Sequence, residues 1–177
     1  MKIACLLAPG FEETEAIQTV DILRRASLTV DIVAVDQLEV MGSHQIKVIA
    51  DKVLDSLDEY DMIVLPGGQP GTNNLMNNQQ VIAAVRAFDQ QKKWIAAICA
   101  APTVLDAAGI LKGKRVTSYP GLDQTAFKDS IYLEQAVVID QHIITSRGVA
   151  TVAEFAFTII ECLGLDSAPL KKAMIFE

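Results

Sequence analysis

The sequence predicts a single α/β domain with a mostly parallel central sheet that is covered by helices on both faces. Apolar runs rich in Val and Ile alternate with amphipathic stretches from end to end, and this alternation is typical of βαβ units. Neither an internal repeat nor a low-complexity segment interrupts it. The chain has 177 residues, 51% of them hydrophobic, which suits one well-buried core. We therefore predict one domain over residues 1–177.

Short runs rich in β-branched residues, bounded by turn residues, predict the strands. The strands predicted for the sheet are Lys2 to Leu7, Thr29 to Ala34, Asp61 to Leu65, Trp94 to Ile98, Arg115 to Ser118 and His142 to Thr145. A turn at Met41-Gly-Ser-His44 is predicted to join two short strands, Gln37 to Val40 and Gln45 to Ile49. Val137 to Ile139 is predicted to pair with Ile143 to Thr145 as a hairpin.

Amphipathic stretches predict the helices between these strands. The predicted helices are Glu12 to Ala26, Gln80 to Lys92, Thr103 to Ala108, Thr151 to Leu163 and a C-terminal turn near Leu170. In the first helix the residues predicted to face the sheet are Ala16, Ile17, Val20 and Leu23. Glu13 is predicted to face outward.

Charge and cysteine content exclude several classes of function. The chain has 15 basic and 22 acidic residues, and its basic clusters are too short to follow a phosphate backbone, so we expect no nucleic-acid partner. No apolar run approaches the roughly 18 residues of a membrane span. The apolar N-terminus is stopped by Pro9-Gly10 and therefore predicts a first strand instead of a signal peptide. Three cysteines without a C-x-x-C pattern argue against a disulfide framework and favour a reducing cytoplasm.

The segment I-A-A-I-C-A-A-P at residues 95–102 carries the strongest functional signal. Its apolar run ends on Cys99, which then opens a helix-compatible segment. We therefore predict that Cys99 lies at a sharp strand-to-helix turn, where an α/β protein places a nucleophile. The positive end of the helix dipole is expected to lower the pKa of Cys99 from about 8.5. On the residues alone, a buried cysteine that serves only as a small hydrophobic side chain fits about as well.

Glu15 is a candidate partner for this thiol. It lies in the first turn of a helix that begins at the carboxyl end of the first strand. Ligands of open α/β sheets bind along that edge, so Glu15 and Cys99 can meet there. Alternatively, Glu12, Glu13 and Glu15 only complement the positive end of a helix.

Gly67 and Gly68 end the third predicted strand at the same edge. Glycines there let the backbone approach a ligand and turn N–H groups toward an oxyanion, although a plain tight turn uses the same residues. We expect no metal site, because His44 and His142 are isolated from each other and from any cysteine pair.

Four motifs together resemble the ThiJ/PfpI superfamily in order and spacing, over essentially the whole chain. They are E-E-T-E at residues 12–15, V-L-P-G-G at 64–68, A-A-I-C-A-A-P at 96–102 and T-S-R-G at 145–148. The chain looks most similar to the branch of the parkinsonism-associated protein deglycase and its bacterial relatives. The resemblance implies a flavodoxin-like three-layer sandwich that forms homodimers, without an organic cofactor.

The resemblance also implies roles for individual residues. Cys99 matches the reactive cysteine of the family, and Glu15 matches a glutamate that is typically protonated and donates a hydrogen bond to the sulfur. Gly67, Gly68 and Ala100 are the implied oxyanion- or substrate-binding positions. Burial beside a thiolate disfavours an ionised carboxyl group, so a protonated glutamate is physically reasonable.

Two positions depart from the common family pattern. Many members have a histidine where this chain has Tyr119, which cannot act as a base near neutral pH without a large fall from a pKa of about 10. Some members receive an arginine across the dimer interface, and the matching position here is His44. Both residues are predicted to line the site. The peptidase branch has a histidine directly after the nucleophile, and Ala100 in that place argues against proteolysis.

These features predict a cytoplasmic, cysteine-dependent enzyme of glyoxalase III or deglycase type. Its implied partners are methylglyoxal, glyoxal or their early adducts, and its implied role is protection against oxidative and carbonyl stress. The alternative is a redox sensor or holdase chaperone that is switched by oxidation of Cys99. Some relatives also carry an older label as thiazole monophosphate biosynthesis proteins.

Overall fold

A computed structural model describes residues 1–176, with the backbone alone for Gln124. The strands are β1 Lys2–Leu7, β2 Thr29–Ala34, β3 Glu39–Met41, β4 Lys47–Ile49, β5 Lys52–Val53, β6 Met62–Leu65, β7 Trp94–Ile98, β8 Arg115–Val116, β9 Ile131–Tyr132, β10 Val137–Asp140 and β11 Ile143–Ser146. The α-helices are α1 Glu13–Arg25, α2 Gly71–Asn77, α3 Gln79–Gln91, α4 Pro102–Ala107, α5 Val152–Cys162 and α6 Ala168–Ala173, and short 3-10 helices cover Leu122–Gln124 and Val149–Thr151.

Within the described chain, the main sheet has seven strands in the order β10-β11-β7-β6-β1-β2-β5. Neighbouring strands of this sheet pair in parallel, except that β10 and β11 form an antiparallel hairpin. This confirms the predicted mostly parallel sheet. Because β1, β6 and β7 are consecutive in the sheet, the segments that follow their carboxyl ends meet at one edge. Those segments contain Glu15, Gly67 and Cys99, respectively.

Helices pack on both faces of the sheet, as expected for a three-layer sandwich. Along β1, Ile3, Cys5 and Leu7 face a core shared with α1 and α5, whereas Ala4 and Leu6 face a core shared with α2, α3 and α4. This alternation follows from the two-residue period of a strand. A strand that is apolar on both faces has to be covered twice, which explains the continuous apolar runs in the sequence.

The structure departs from the predicted fold in several details. Arg115 to Ser118 does not join the main sheet: its first two residues form β8, which pairs with β9 in a separate small sheet. Ile17 does not face the sheet and is 40% exposed. The stretches that form α2, β5 and β9 carry regular structure that the residue pattern does not predict. None of the helices in residues 1–176 combines the length and the apolar character that crossing a membrane requires.

Candidate active site

Cys99 occupies the turn between β7 and α4, as the sequence predicts. Its φ of 63° lies in the left-handed region, which residues other than glycine rarely adopt. Two backbone hydrogen bonds hold the turn: the Cys99 N–H donates to the carbonyl of Ser146 at 3.0 Å, and the Tyr119 N–H donates to the carbonyl of Cys99 at 2.8 Å. Pro102 then begins α4 at a position where a missing N–H is tolerated. Backbone strain of this kind clusters at functional sites.

Glu15 lies in the first turn of α1, and its side chain is fully buried. The carboxylate of Glu12 caps the helix by accepting the Glu15 N–H at 2.7 Å. Glu15 Oε2 in turn accepts the N–H of Gly67 at 2.9 Å. Its Oε1 atom has no hydrogen-bond partner among residues 1–176, and it would lie 3.7 Å from a Cβ placed on Gly148. One carboxyl oxygen is therefore anchored and the other is available.

Burial governs the protonation of Glu15. It raises the pKa of this carboxyl group to about 7, although the Cys99 thiol and the Gly67 amide act in the opposite direction. Repulsion from the Glu12 carboxylate adds to the rise. A carboxyl group with such a pKa can hold or release a proton near neutral pH, as a general acid or base must.

Burial also raises the pKa of the Cys99 thiol, to about 12, and the charge of Glu15 acts in the same direction. The amides of Gly68 and Ala100 oppose this rise by hydrogen bonding to the sulfur. The expected lowering of the Cys99 pKa is therefore wrong, because burial and the charge of Glu15 outweigh the groups that favour the thiolate. Since ionisation of either group disfavours ionisation of the other, the two side chains titrate as a pair.

The glycines beside the pair have different roles. A Cβ on Gly67 would lie 2.6 Å from the Cβ of Cys99 and 2.7 Å from Glu15 Oε2, so only glycine fits between them. We expected the Gly67 N–H to face an oxyanion. Instead it donates to Glu15 Oε2 and so positions the carboxyl group. Gly68, with a φ of 92°, and Ala100 are the positions whose amides point to the sulfur.

Cys99 and Tyr119 line two clefts. The main cleft has a volume of about 490 Å³ and is lined by Glu12, Glu15, His44, Cys99, Tyr119, Pro120, Arg147, Gly148, Val149, Ala150 and Thr151. The smaller cleft, of about 240 Å³, is lined by Gly68, Gln69, Cys99, Ala100, Tyr119 and Leu122. Tyr119 is 55% exposed and belongs to both walls. A small molecule in either cleft can therefore reach the sulfur.

His44 lies at the rim of the main cleft, with its side chain 70% exposed. Its Nδ1 atom is 2.8 Å from Glu13 Oε2, and its backbone N–H donates to Glu13 Oε1 at 2.6 Å. The hydrogen bond to Glu13 raises the pKa of His44. Glu13 is buried, contrary to the predicted outward position, because it fastens the β3–β4 turn to α1. Although burial opposes it, these hydrogen bonds lower the pKa of Glu13 to about 2.

In the sequence, His44 is distant from other possible metal ligands, but the fold brings it close to Glu12 and Glu13. Possible ligand atoms of Glu12, Glu13 and His44 lie within 4.8 Å of one another. The Glu13 carboxylate, however, is already occupied by Ser43, by His44 and by the amide of Ile46. The cluster is accounted for as the attachment of a turn to a helix.

Sequence reasoning missed the wall of the main cleft that Arg147, Gly148 and Thr151 provide. These residues follow β11, which is the direct neighbour of β7 in the sheet. The T-S-R-G motif was a signal for this wall. Its relation to Cys99 depends on the strand order, which the residue pattern does not contain.

Comparisons with known proteins give a consistent family for the chain. The model of the DJ-1/PfpI family matches residues 1–162. The Parkinson disease protein 7 homolog of Danio rerio is 38% identical over 175 residues, which cover 95% of this chain and 93% of that protein. The crystal structure of Drosophila melanogaster DJ-1beta superposes with a TM-score of 0.94 at 36% identity, over 98% of this chain and 97% of that chain.

A DJ-1 superfamily protein from Salmonella typhimurium gives a TM-score of 0.91 at 39% identity, over 99% of this chain and 97% of that chain. Two Arabidopsis thaliana relatives are longer: the match covers 36% of DJ-1 homolog B and 40% of DJ-1 homolog A. The family match spans every residue of the site described above. The chain belongs to the DJ-1/PfpI family and has its flavodoxin-like fold.

Proposed function

We propose that this protein is a cysteine-dependent enzyme that acts on small reactive dicarbonyls, such as methylglyoxal and glyoxal, or on their early adducts. The observation that carries the proposal is the pairing of Cys99, in a strained turn open to two clefts, with the buried carboxyl group of Glu15. A nucleophile, an adjacent acid–base group and two amides directed at the reacting atom are the elements that covalent carbonyl chemistry requires.

The first step is addition of the Cys99 sulfur to an aldehyde carbon. The proton of the pair moves to Glu15 as the thiolate forms, and the new carbon–sulfur bond converts the carbonyl oxygen into an oxyanion. The amides of Gly68 and Ala100 point to the sulfur, so an oxygen attached to the neighbouring carbon lies within their reach. Proton return to that oxygen gives a hemithioacetal.

The second step moves a proton between adjacent carbons. Glu15 removes the hydrogen from the former aldehyde carbon, and the resulting enediol is protonated at the neighbouring carbon. This gives a thioester of lactate when the substrate is methylglyoxal. Attack of water on the thioester releases lactate and restores the thiol, so the net reaction is methylglyoxal plus water to lactate. A carboxyl group with a pKa near 7 is suited to both proton transfers.

The test is lactate formation from methylglyoxal by the purified protein. Cys99→Ala should abolish turnover, whereas Cys162→Ala, which removes a partly buried thiol at the end of α5, should leave it unchanged. Glu15→Gln should keep Cys99 alkylation but lose turnover by about 100-fold or more, the typical contribution of a general acid–base group. Equal lactate formation by the wild type and Cys99→Ala would reject the proposal.

A redox sensor or a holdase chaperone is the second candidate. The observation that favours it is the Oε1 atom of Glu15, which has no partner among the described residues. When protonated, Glu15 can donate a hydrogen bond to a sulfinate oxygen, and such stabilisation favours oxidation that stops at sulfinate. One related solved structure is described as oxidized Toxoplasma gondii DJ-1. Oxidation of Cys99 to sulfinate by peroxide, in a protein that forms no lactate, would favour this candidate.

We also propose that the protein works in the cytoplasm as a homodimer. Exposed apolar side chains lie beside the main cleft, on α1 and on the β3–β4 turn. They include Ile17 at 40% and Ile46 at 57% exposure. Ile17 is one helical turn after Glu13, whose carboxylate accepts the amide of Ile46, so these side chains belong to one region. Covering them with a second copy would bury apolar surface and enclose the cleft.

A further inference from the structure

Arg147 is the one arginine in residues 1–176 whose side chain makes no hydrogen bond. Three of the others reach carboxylates, Arg24 at 2.6 Å, Arg25 at 2.7 Å and Arg115 at 3.4 Å, and Arg86 donates to the carbonyl of Ala108 at 2.9 Å. A guanidinium group has five N–H donors and no acceptor. Since no side-chain hydrogen bond of Arg147 is formed within residues 1–176, its N–H donors are available to a ligand.

The position of Arg147 adds to this argument. Its side chain is 22% exposed and lines the main cleft together with Cys99 and Glu15. Within the described part of the chain, one carboxylate reaches it within the range of an ion pair: Glu134 Oε2, 4.0 Å from Nη1. The Glu134 side chain is 83% exposed, and a pair that distant and exposed contributes little. Arg147 is thus a largely uncompensated cation in the wall of the cleft that holds the nucleophile.

The other charges of the main cleft limit the kind of anion that fits. Glu12 and Glu15 also line it, and the Glu12 side chain is 12% exposed. When protonated, His44 offsets part of the Glu12 charge, since its Nδ1 atom lies 3.9 Å from Glu12 Oε1. A doubly charged phosphate is repelled by these acids more than a singly charged group is. A carboxylate also matches the planar guanidinium fork, which binds it through two parallel hydrogen bonds.

We propose that Arg147 is a specificity-determining residue that binds the carboxylate of small 2-oxo or 2-hydroxy acids, with their second carbon directed toward the Cys99 sulfur. This inference rests on the proposed function, because it concerns the same site. The proposed role of Arg147 extends the substrate class to dicarbonyl compounds and adducts that carry a carboxylate. It also predicts that lactate, the expected product from methylglyoxal, is held by Arg147 and inhibits turnover.

The test compares two alkylating agents of nearly equal size, iodoacetate, which carries a carboxylate, and iodoacetamide, which does not. Rates at Cys99 are measured by mass spectrometry in the full-length protein, and the ratio of the iodoacetate rate to the iodoacetamide rate is the readout. Arg147→Gln should lower this ratio at least about tenfold, the low end for a hydrogen bond to a charged group. Arg25→Gln, which removes an exposed arginine elsewhere, should leave it unchanged.

Two further measurements keep the proposal open to refutation. Because the readout is a ratio, any change in the reactivity of Cys99 itself cancels. Added salt should lower the wild-type ratio but not that of Arg147→Gln. Pyruvate should protect Cys99 from iodoacetamide in the wild type better than neutral pyruvamide does, and this advantage should vanish in Arg147→Gln.

The results separate this proposal from the proposed function, because alkylation needs no turnover. A ratio that is the same in the wild type and Arg147→Gln overturns the role of Arg147, even if lactate is formed. Stronger protection by inorganic phosphate than by pyruvate overturns the choice of a carboxylate. A lowered ratio in a protein that forms no lactate supports the carboxylate site while rejecting the enzymatic proposal.

Discussion

The Glu15→Gln variant should gain stability relative to the wild type as the pH rises. The pKa of Glu15 is raised from 4.5 to about 7, and the side chain is fully buried. The folded state therefore binds this proton more tightly than the unfolded state, so stability is full below pH 4.5 and falls until about pH 7. At about 1.4 kcal/mol per pKa unit, the loss in the wild type is about 3 kcal/mol.

Glutamine has no charge to bury, and its carbonyl can still accept the N–H of Gly67 that Glu15 accepts. The free energy of unfolding of Glu15→Gln, minus that of the wild type, should therefore rise by about 3 kcal/mol between pH 4.5 and pH 8. Chemical denaturation at several pH values and one fixed protein concentration measures this difference. Glu154→Gln, at an exposed position in the first turn of α5, is the control and should show no such rise. A pH-independent difference for Glu15→Gln would refute the reasoning.

Three other predictions concern the site and the assembly. Gly67→Ala should destabilise the fold by about 1–3 kcal/mol through overpacking, because the new Cβ would collide with Cys99 and Glu15. The same collision should slow alkylation of Cys99. The control Gly109→Ala, where nothing lies within 4 Å of the added Cβ, should leave the alkylation rate unaltered. Tyr119→His should increase lactate formation up to about 100-fold if a second proton carrier is lacking, and no gain in a folded variant would mean that Glu15 suffices. Sedimentation at micromolar concentration should show a species of twice 19.2 kDa, and a purely monomeric profile would reject the homodimer.

The fold and the central pair could be predicted because their signals are local. The apolar run that ends at Cys99 and the acidic helix start at Glu15 each indicate a strand or helix end. A parallel sheet brings such ends to one edge. The predicted strands Lys2 to Leu7 and Trp94 to Ile98, which flank the central strand of the sheet, agree with β1 and β7.

The remaining features depend on tertiary contacts that the pattern does not contain. Glu13 looks like a solvent-facing acid, yet the β3–β4 turn folds over it and buries it. Ile17 has the spacing of a core residue, but it lies where no element of the described chain covers it. The pKa of Cys99 was expected to fall because the helix dipole is visible in the sequence, whereas burial and the charge of Glu15 are not. Arg147 is separated from Cys99 by 48 positions in the numbering, and only the pairing of β11 with β7 brings them together.

The central claim is that Cys99 and Glu15 form one coupled acid–base unit. The pH dependence of Cys99 alkylation by iodoacetamide tests it most directly, in the wild type and in Glu15→Gln. The account predicts two rises in rate for the wild type, one near pH 7 as the pair loses its first proton and one near pH 12 as it loses the second. For Glu15→Gln it predicts a single rise below pH 12, because the negative neighbour is gone. The same single-step profile in both proteins would contradict the claim.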